Sequence, residues 1–203
     1  MKIAVYGATG MVGSQIVAEA ARRGHEVTAL SRKGTAVEGA AVVRAADLAD
    51  LETFRSAASA NDVVVLATAP DRTGGPLEPY LEAHRAIAEV PTEARLYLVG
   101  GFGGLQTPDG TRIKDLPDFP AEYKAESDTV FAAYEVLRDS AAGLDVTVQA
   151  PAAVIAPGER TGQYRTAVGV PAGDFISAQD YAVATLDELE KPQFRGEIFT
   201  AAN

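Results

Sequence analysis

The chain has 203 residues, of which 47% are hydrophobic and 23% charged, and it contains no cysteine. That balance excludes a largely disordered, collagen-like or disulfide-framed polypeptide, and the length suits one domain over 1–203. Eighteen Lys and Arg against 28 Asp and Glu leave a formal charge of −10 with no basic run, so neither nucleic acid nor an anionic membrane surface is expected as a partner. With no thiolate, and only His25 and His84 as imidazoles, no metal site is expected either.

The opening Met1 to Gly7 is too short an apolar stretch for a secretion signal or a membrane span, which makes the cytoplasm the expected location. Strands are predicted near 2–6, 26–30, 41–44, 62–67, 95–99, 145–149 and 197–200, and helices near 11–23, 50–58, 77–89, 122–141 and 178–190. This alternation predicts an α/β fold: a Rossmann-like, doubly wound, mainly parallel sheet of about seven strands flanked by helices. Val63 to Leu66 has no polar interruption and belongs mid-sheet, covered on both faces. The first helix places Val12, Ile16 and Ala20 on one side and ends with Arg22 and Arg23 before Gly24, a basic last turn followed by a left-handed cap. Two stretches fit neither period, Gly100 to Pro120 and Ala156 to Gly173. Each follows a strand and is expected at the carboxyl edge of the sheet as a substrate wall, unless both are plain surface loops.

The sharpest local signal is Gly7-Ala8-Thr9-Gly10-Met11-Val12-Gly13, at the junction of the first strand and first helix. Gly7 serves the tight turn, Gly10 the close approach of a diphosphate, and Gly13 the contact between helix and strand. The helix start offers free N–H groups and a partial positive charge to that diphosphate. About 20 residues on, where a dinucleotide's adenosine ribose is read, the second strand ends in Ser31-Arg32-Lys33. A carboxylate there would repel a 2′-phosphate. A hydroxyl and two cations invite one, so NADP(H) is preferred over NAD(H), although exposed cations also occur without a role.

With these residues in view, the chain resembles the atypical short-chain dehydrogenase/reductases with an NAD(P)H-binding, NmrA-like domain, in particular the small flavin-reductase-like and biliverdin-reductase-B-like members. The likeness rests on GATGMVG at 7–13, LSRK at 30–33, AADLAD at 45–50, ATAP at 67–70, LVGGFGG at 98–104, QAPAAVIAPGERTGQY at 149–164 and the C-terminal stretch 176–200, so it spans the whole chain. It implies that Asp47 and Leu48 flank the adenine, that Ala67, Thr68 and Ala69 line the ribose and diphosphate path, and that Gly100 and Gly101 pass the nicotinamide. Pro151 and Ala152 would stand beside the nicotinamide amide. Asp47 also reads as a helix N-cap, a role for which Asp50 is better placed.

Members of the wider family set Tyr and Lys four apart on one helix face, so that the ammonium lowers the phenol pKa. Here 123–127 reads Tyr-Lys-Ala-Glu-Ser, with Ser127 in the lysine's place. Small relatives place a serine after the glycines that follow the fifth strand, where this chain has Gly104. Tyr123 with Lys124 is the remaining catalytic candidate, although helix neighbours point about 100° apart. A missing proton donor favours hydride transfer to a flavin, a quinone or a similar planar acceptor over carbonyl reduction. The same gap admits a non-catalytic redox sensor.

For the acceptor, Phe102, Gly104 and Phe119 offer an apolar wall, while Arg160 and Tyr164 could hold an anionic or aromatic group or simply pack their loop. His84 is either a core residue or a titrating group. Asp187, Glu188 and Glu190 read as the solvated face of the last helix. Monomer and homodimer are both compatible with the sequence.

Overall fold

In the computed structural model, which describes residues 1–203, the apolar run Val63–Leu66 is buried at every position and has a parallel partner on each side. It is β4 of an eight-stranded sheet that also contains β1 (Lys2–Tyr6), β2 (Glu26–Ser31), β3 (Val42–Ala45), β5 (Arg95–Val99), β6 (Val146–Ala150), β8 (Arg165–Val168) and β10 (Ile198–Ala202). The order across the sheet is β3-β2-β1-β4-β5-β6-β10-β8, parallel throughout except for the last pair. A separate parallel pair joins β7 (Val154–Ala156) to β9 (Phe175–Ser177). Strand order reverses between β1 and β4, and in such sheets the crevice beyond the strand ends at that point is the ligand site.

Five helices cover the sheet: α1 (Met11–Arg22), α2 (Leu51–Ala60), α3 (Glu78–Ala88), α4 (Ala121–Arg138) and α5 (Ala178–Glu190). Tyr6, Phe54, Leu66, Leu98 and Leu137 belong to the core under α2, α3 and α4, whereas Ile3, Val5, Ile16, Tyr97 and Tyr181 belong to the core under α1 and α5. Burial on both faces is why the central strands lack polar alternation. Local signals set the helix ends. α1 closes at Arg23, and Gly24 follows with φ +80°, a left-handed turn that glycine adopts without strain. Asp50 caps α2, its carboxylate accepting from the Glu52 and Thr53 N–H groups at 3.1 and 3.2 Å, while Asp47 folds its own turn by accepting from Ala49 at 3.0 Å.

The doubly wound, mainly parallel sheet is as expected, with one strand beyond the seven read from the sequence: the stretch over Ala156 to Gly173, expected to be irregular, contains β8, antiparallel to β10 at the sheet edge. Arg-Thr-Ala-Val has one strand partner and little apolar surface to bury, so it lacks the signal of a central strand.

The stretch Gly100 to Pro120 also has structure, with 3-10 turns at Phe102–Gly104 and Ile113–Asp115 and a bridge between Gln106 and Arg112. The Gln106 N–H donates to the Gly169 carbonyl, and the Gly169 N–H donates to the carbonyl of Ile198, the first residue of β10. The segment therefore runs down to the amino end of that strand, and only its first residues remain at the carboxyl edge.

Finally, Glu188 is buried against Arg95, which also donates to the Thr147 hydroxyl at 2.6 Å and the Glu188 carbonyl at 3.1 Å. Asp187 and Glu190 hold Arg23 at 2.7 and 2.9 Å. Opposing cations occupy what read as a solvated acidic face.

Candidate functional site

The turn between β1 and α1 is built on missing side chains. Gly7 has φ +74°, and a Cβ there would strike the Ala67 carbonyl and come within 3.0 Å of the Thr68 nitrogen. A Cβ on Gly13 would strike the Gly7 carbonyl, so strand end and helix start touch backbone to backbone. The Gly10 N–H donates to the Gly7 carbonyl at 2.9 Å, and Gly10 is the N-cap of α1 with no side chain capping the first turn. The N–H groups of Met11, Val12 and Gly13 are thus left for an anion. Thr9, Gly10 and Met11 are exposed, while Val12 packs into the core under α1 and α5.

Across the crevice, Ala67 packs beside that same core and Ala69 is exposed. The Thr68 hydroxyl is buried without a hydrogen-bond partner in the protein, in contrast to the general rule that buried polar groups are satisfied. A glycine cradle, an uncapped helix start and an orphaned hydroxyl beside them fit a bound dinucleotide.

At the end of β2, Ser31 is buried, and its hydroxyl accepts from the Thr35 N–H at 3.2 Å, so it shapes the turn. Arg32 and Lys33 are exposed, and no carboxylate lies within ion-pair distance of either. Asp71, in the loop after β4, lies below the usual carboxylate range, held there mainly by the Thr73 hydroxyl and amide and the Gly75 amide, with the Arg32 charge adding to the effect. Arg32 thus faces the loop after β4 from the other side of the crevice. Leu48 turns its side chain into the core, whereas Asp47 beside it is exposed.

Just beyond β5, the Gly100 N–H donates to the Gln149 carbonyl at 2.9 Å, and a Cβ on Gly100 would sit 2.6 Å from Val148. Gly100, Gly101, Gly104, Ser127, Val130 and Phe131 border a narrow, mostly apolar cleft. Gly104 is buried, and its carbonyl accepts from Arg112 at 2.6 Å, whose guanidinium lies 4.5 Å above the Phe131 ring. Phe102 and Phe119 are half-buried and pack on the core under α2, α3 and α4, so they support the cleft more than they line it. Pro151 is half-buried and Ala152 fully buried just beyond the end of β6.

Several sequence candidates have other tasks. Tyr123 is 56% exposed, and the Lys124 ammonium binds Asp128 at 2.7 Å and Asp115 at 3.1 Å, so the two form no coupled acid. Asp128 is the main reason that the Lys124 pKa is raised. His84 is sealed in α3: Nδ1 bonds the Tyr80 carbonyl at 2.7 Å, Nε2 is buried without a partner, and burial pushes the pKa down to about 4. It is a neutral core residue.

Arg160 grips Glu19 through two nitrogens at 2.7 Å each, and the Tyr164 hydroxyl donates to Asp187. Both side chains are thus engaged in packing their loop, the alternative that the sequence also left open. Their loop lies over α1 and α5, with Thr161 and Gly162 bonding Asp180 at 2.5 and 2.8 Å. One signal pointed this way in advance: Glu19 lies three residues after Ile16 on the buried stripe of α1, where a charge requires a partner.

The profile of the NAD(P)H-binding family matches residues 7–192. The chain belongs to that family. This NAD(P)H-binding protein is similar along its full length to YwnB of Bacillus subtilis (strain 168), an uncharacterized protein, with 36% identity over 219 residues covering 100% of this chain and 99% of YwnB. Among solved structures it resembles a Burkholderia pseudomallei protein provisionally described as exported, with 40% identity, TM-score 0.87 and 100% of both chains covered. It also resembles a Streptococcus pneumoniae TIGR4 protein provisionally described as an NADH-flavin reductase, with 32% identity, TM-score 0.86 and coverage of 100% and 99%. No helix of the NAD(P)H-binding protein is long and apolar enough to cross a membrane.

Proposed function

We propose that this protein is a cytoplasmic NADPH-dependent reductase of a small planar acceptor, a flavin or a quinone. The observation that carries the cofactor choice is the pair of exposed, unpaired cations Arg32 and Lys33 at the end of β2, one crossover from the uncapped start of α1. In this reading the amides of Met11, Val12 and Gly13 cradle the diphosphate, with Thr68 and Ala69 beside it. Arg32 takes the 2′-phosphate with a planar fork, and Lys33 adds a second charge. Gly100 and Gly101, which present no side chain, would leave room for the nicotinamide to pass. When bound, the cofactor supplies a hydride, two electrons with one hydrogen, which together with a proton from water reduces a two-electron acceptor.

The nicotinamide end carries no Tyr–Lys pair and no free histidine, and a conjugated ring that spreads the incoming charge needs neither. Placement then provides the acceleration. The name of the Streptococcus pneumoniae relative points to the same acceptor class. The test follows NADPH absorbance with excess FMN, riboflavin or a simple quinone. Turnover with at least one acceptor, faster with NADPH than with NADH, is expected. Tight NADPH binding with no turnover across the panel would replace the reading with that of a redox sensor, which the exposure of Tyr123 and the engagement of Lys124 by acids favour.

A further inference from the structure

One polar group in the cleft beside Gly100 and Gly101 has no task in the folded chain. Ser127, on α4, is half-buried; its hydroxyl makes no hydrogen bond within the protein and is not sealed from solvent. Its neighbour Gly103 leaves it space, since a Cβ there would lie 3.0 Å from the Ser127 Oγ. Tyr134 is the other polar residue of the cleft, and its ring is covered by Arg138, whose guanidinium lies 5.2 Å from the ring centre. The remaining walls are glycine and hydrocarbon, including Leu98, Val130 and Val148. In an apolar site, a single placed polar group fixes the orientation of what binds.

The free volume of the cleft is about 20 Å³, close to the space of one water. It admits an oxygen atom at the edge of a ring while the ring itself stays outside the cleft. We infer that Ser127 is the acceptor-orienting residue: its hydroxyl donates a hydrogen bond to a carbonyl oxygen of a flavin or quinone and so sets which edge of the ring enters the cleft. This rests on the reductase reading and deepens it. The hydroxyl that the loop lacks at Gly104 is supplied to the same cleft from α4.

The test measures binding without turnover. FMN is titrated into protein saturated with NADP⁺, following quenching of flavin fluorescence, for the wild type, Ser127→Ala and Ser127→Thr, with calorimetry of NADP⁺ alone as the control. Ser127→Ala is expected to weaken FMN by about tenfold, the equivalent of one hydrogen bond, with NADP⁺ affinity unchanged and Ser127→Thr restoring most of the loss. Equal FMN affinity in the wild type and Ser127→Ala overturns the inference alone. So does a loss that falls on NADP⁺, because the hydroxyl would then serve the nucleotide. A wild type that binds NADP⁺ but neither FMN nor a simple quinone titrated in the same way overturns the reductase reading and this inference with it.

Discussion

Arg32 and Lys33 are exposed cations that make no ion pair in a protein of net charge −10, an arrangement that leaves both free for an anion from outside. A guanidinium on a phosphate is a charge-assisted contact, and a hydrogen bond to a charged group is worth about 1.5–3 kcal/mol. Arg32→Ala should therefore weaken NADPH at least about tenfold, by that same energy scale, while leaving NADH within about twofold. Calorimetry with both nucleotides checks this, and an equal loss for the two would exclude a 2′-phosphate contact. At this scale, residues with strictly local requirements were legible. Gly7 and Gly13 are dictated by a turn and a contact between adjacent elements, and Asp50 by the helix it opens. For Ser31 the sequence shows the hydroxyl at the strand end but not that it also accepts from an amide four residues on. For Arg160 and Tyr164 the sequence leaves ligand binding and loop packing both open, because their partners, Glu19 and Asp187, become neighbours only after folding.

Among the elements, α1 and α5 are held together by charge as well as by packing. Glu19, Arg23, Arg160, Asp187 and Glu190 form one connected set, with Glu19 at its buried centre. Burial alone would raise the Glu19 pKa, but the hydrogen bonds from Arg160 and Arg23 outweigh it and hold the group below its usual value. A carboxyl depressed in the folded state contributes stability that is fully present above its unfolded pKa, about 4.3, and is lost as pH falls through the folded value. Glu19→Gln should accordingly cost about 1–3 kcal/mol at pH 7, with a gap to the wild type that narrows below about pH 4. Urea midpoints from pH 3 to 7 measure that gap, and a gap independent of pH would show that the charge is not what binds the helices. The alternation of strands and helices was readable because each central strand and each amphipathic face carries its own period. β7, β8 and β9 were not, since three or four residues in an edge strand or an isolated pair have too few partners to impose one.

For the molecule as a whole, the doubly covered sheet positions the crevice, and the nucleotide would bridge segments from both sides of the β1–β4 reversal. A ligand that binds only the folded state stabilises it by about 2.7 kcal/mol at a concentration 100 times its Kd. For a chain of this size each kcal/mol raises the melting temperature by about 2–4 °C, so saturating NADPH should raise it by about 5–10 °C, and NADH at the same concentration by less. Differential scanning calorimetry reads both, and no shift with either at millimolar concentration would remove the site. The order of strands also bears on biosynthesis. β8 emerges from the ribosome before β10, yet β10 is its sole neighbour and stands between it and the remainder of the sheet. During translation that margin has nowhere to dock, and the nascent polypeptide must carry it unpaired, as a potential target for chaperones, until the later strand slides in alongside β6.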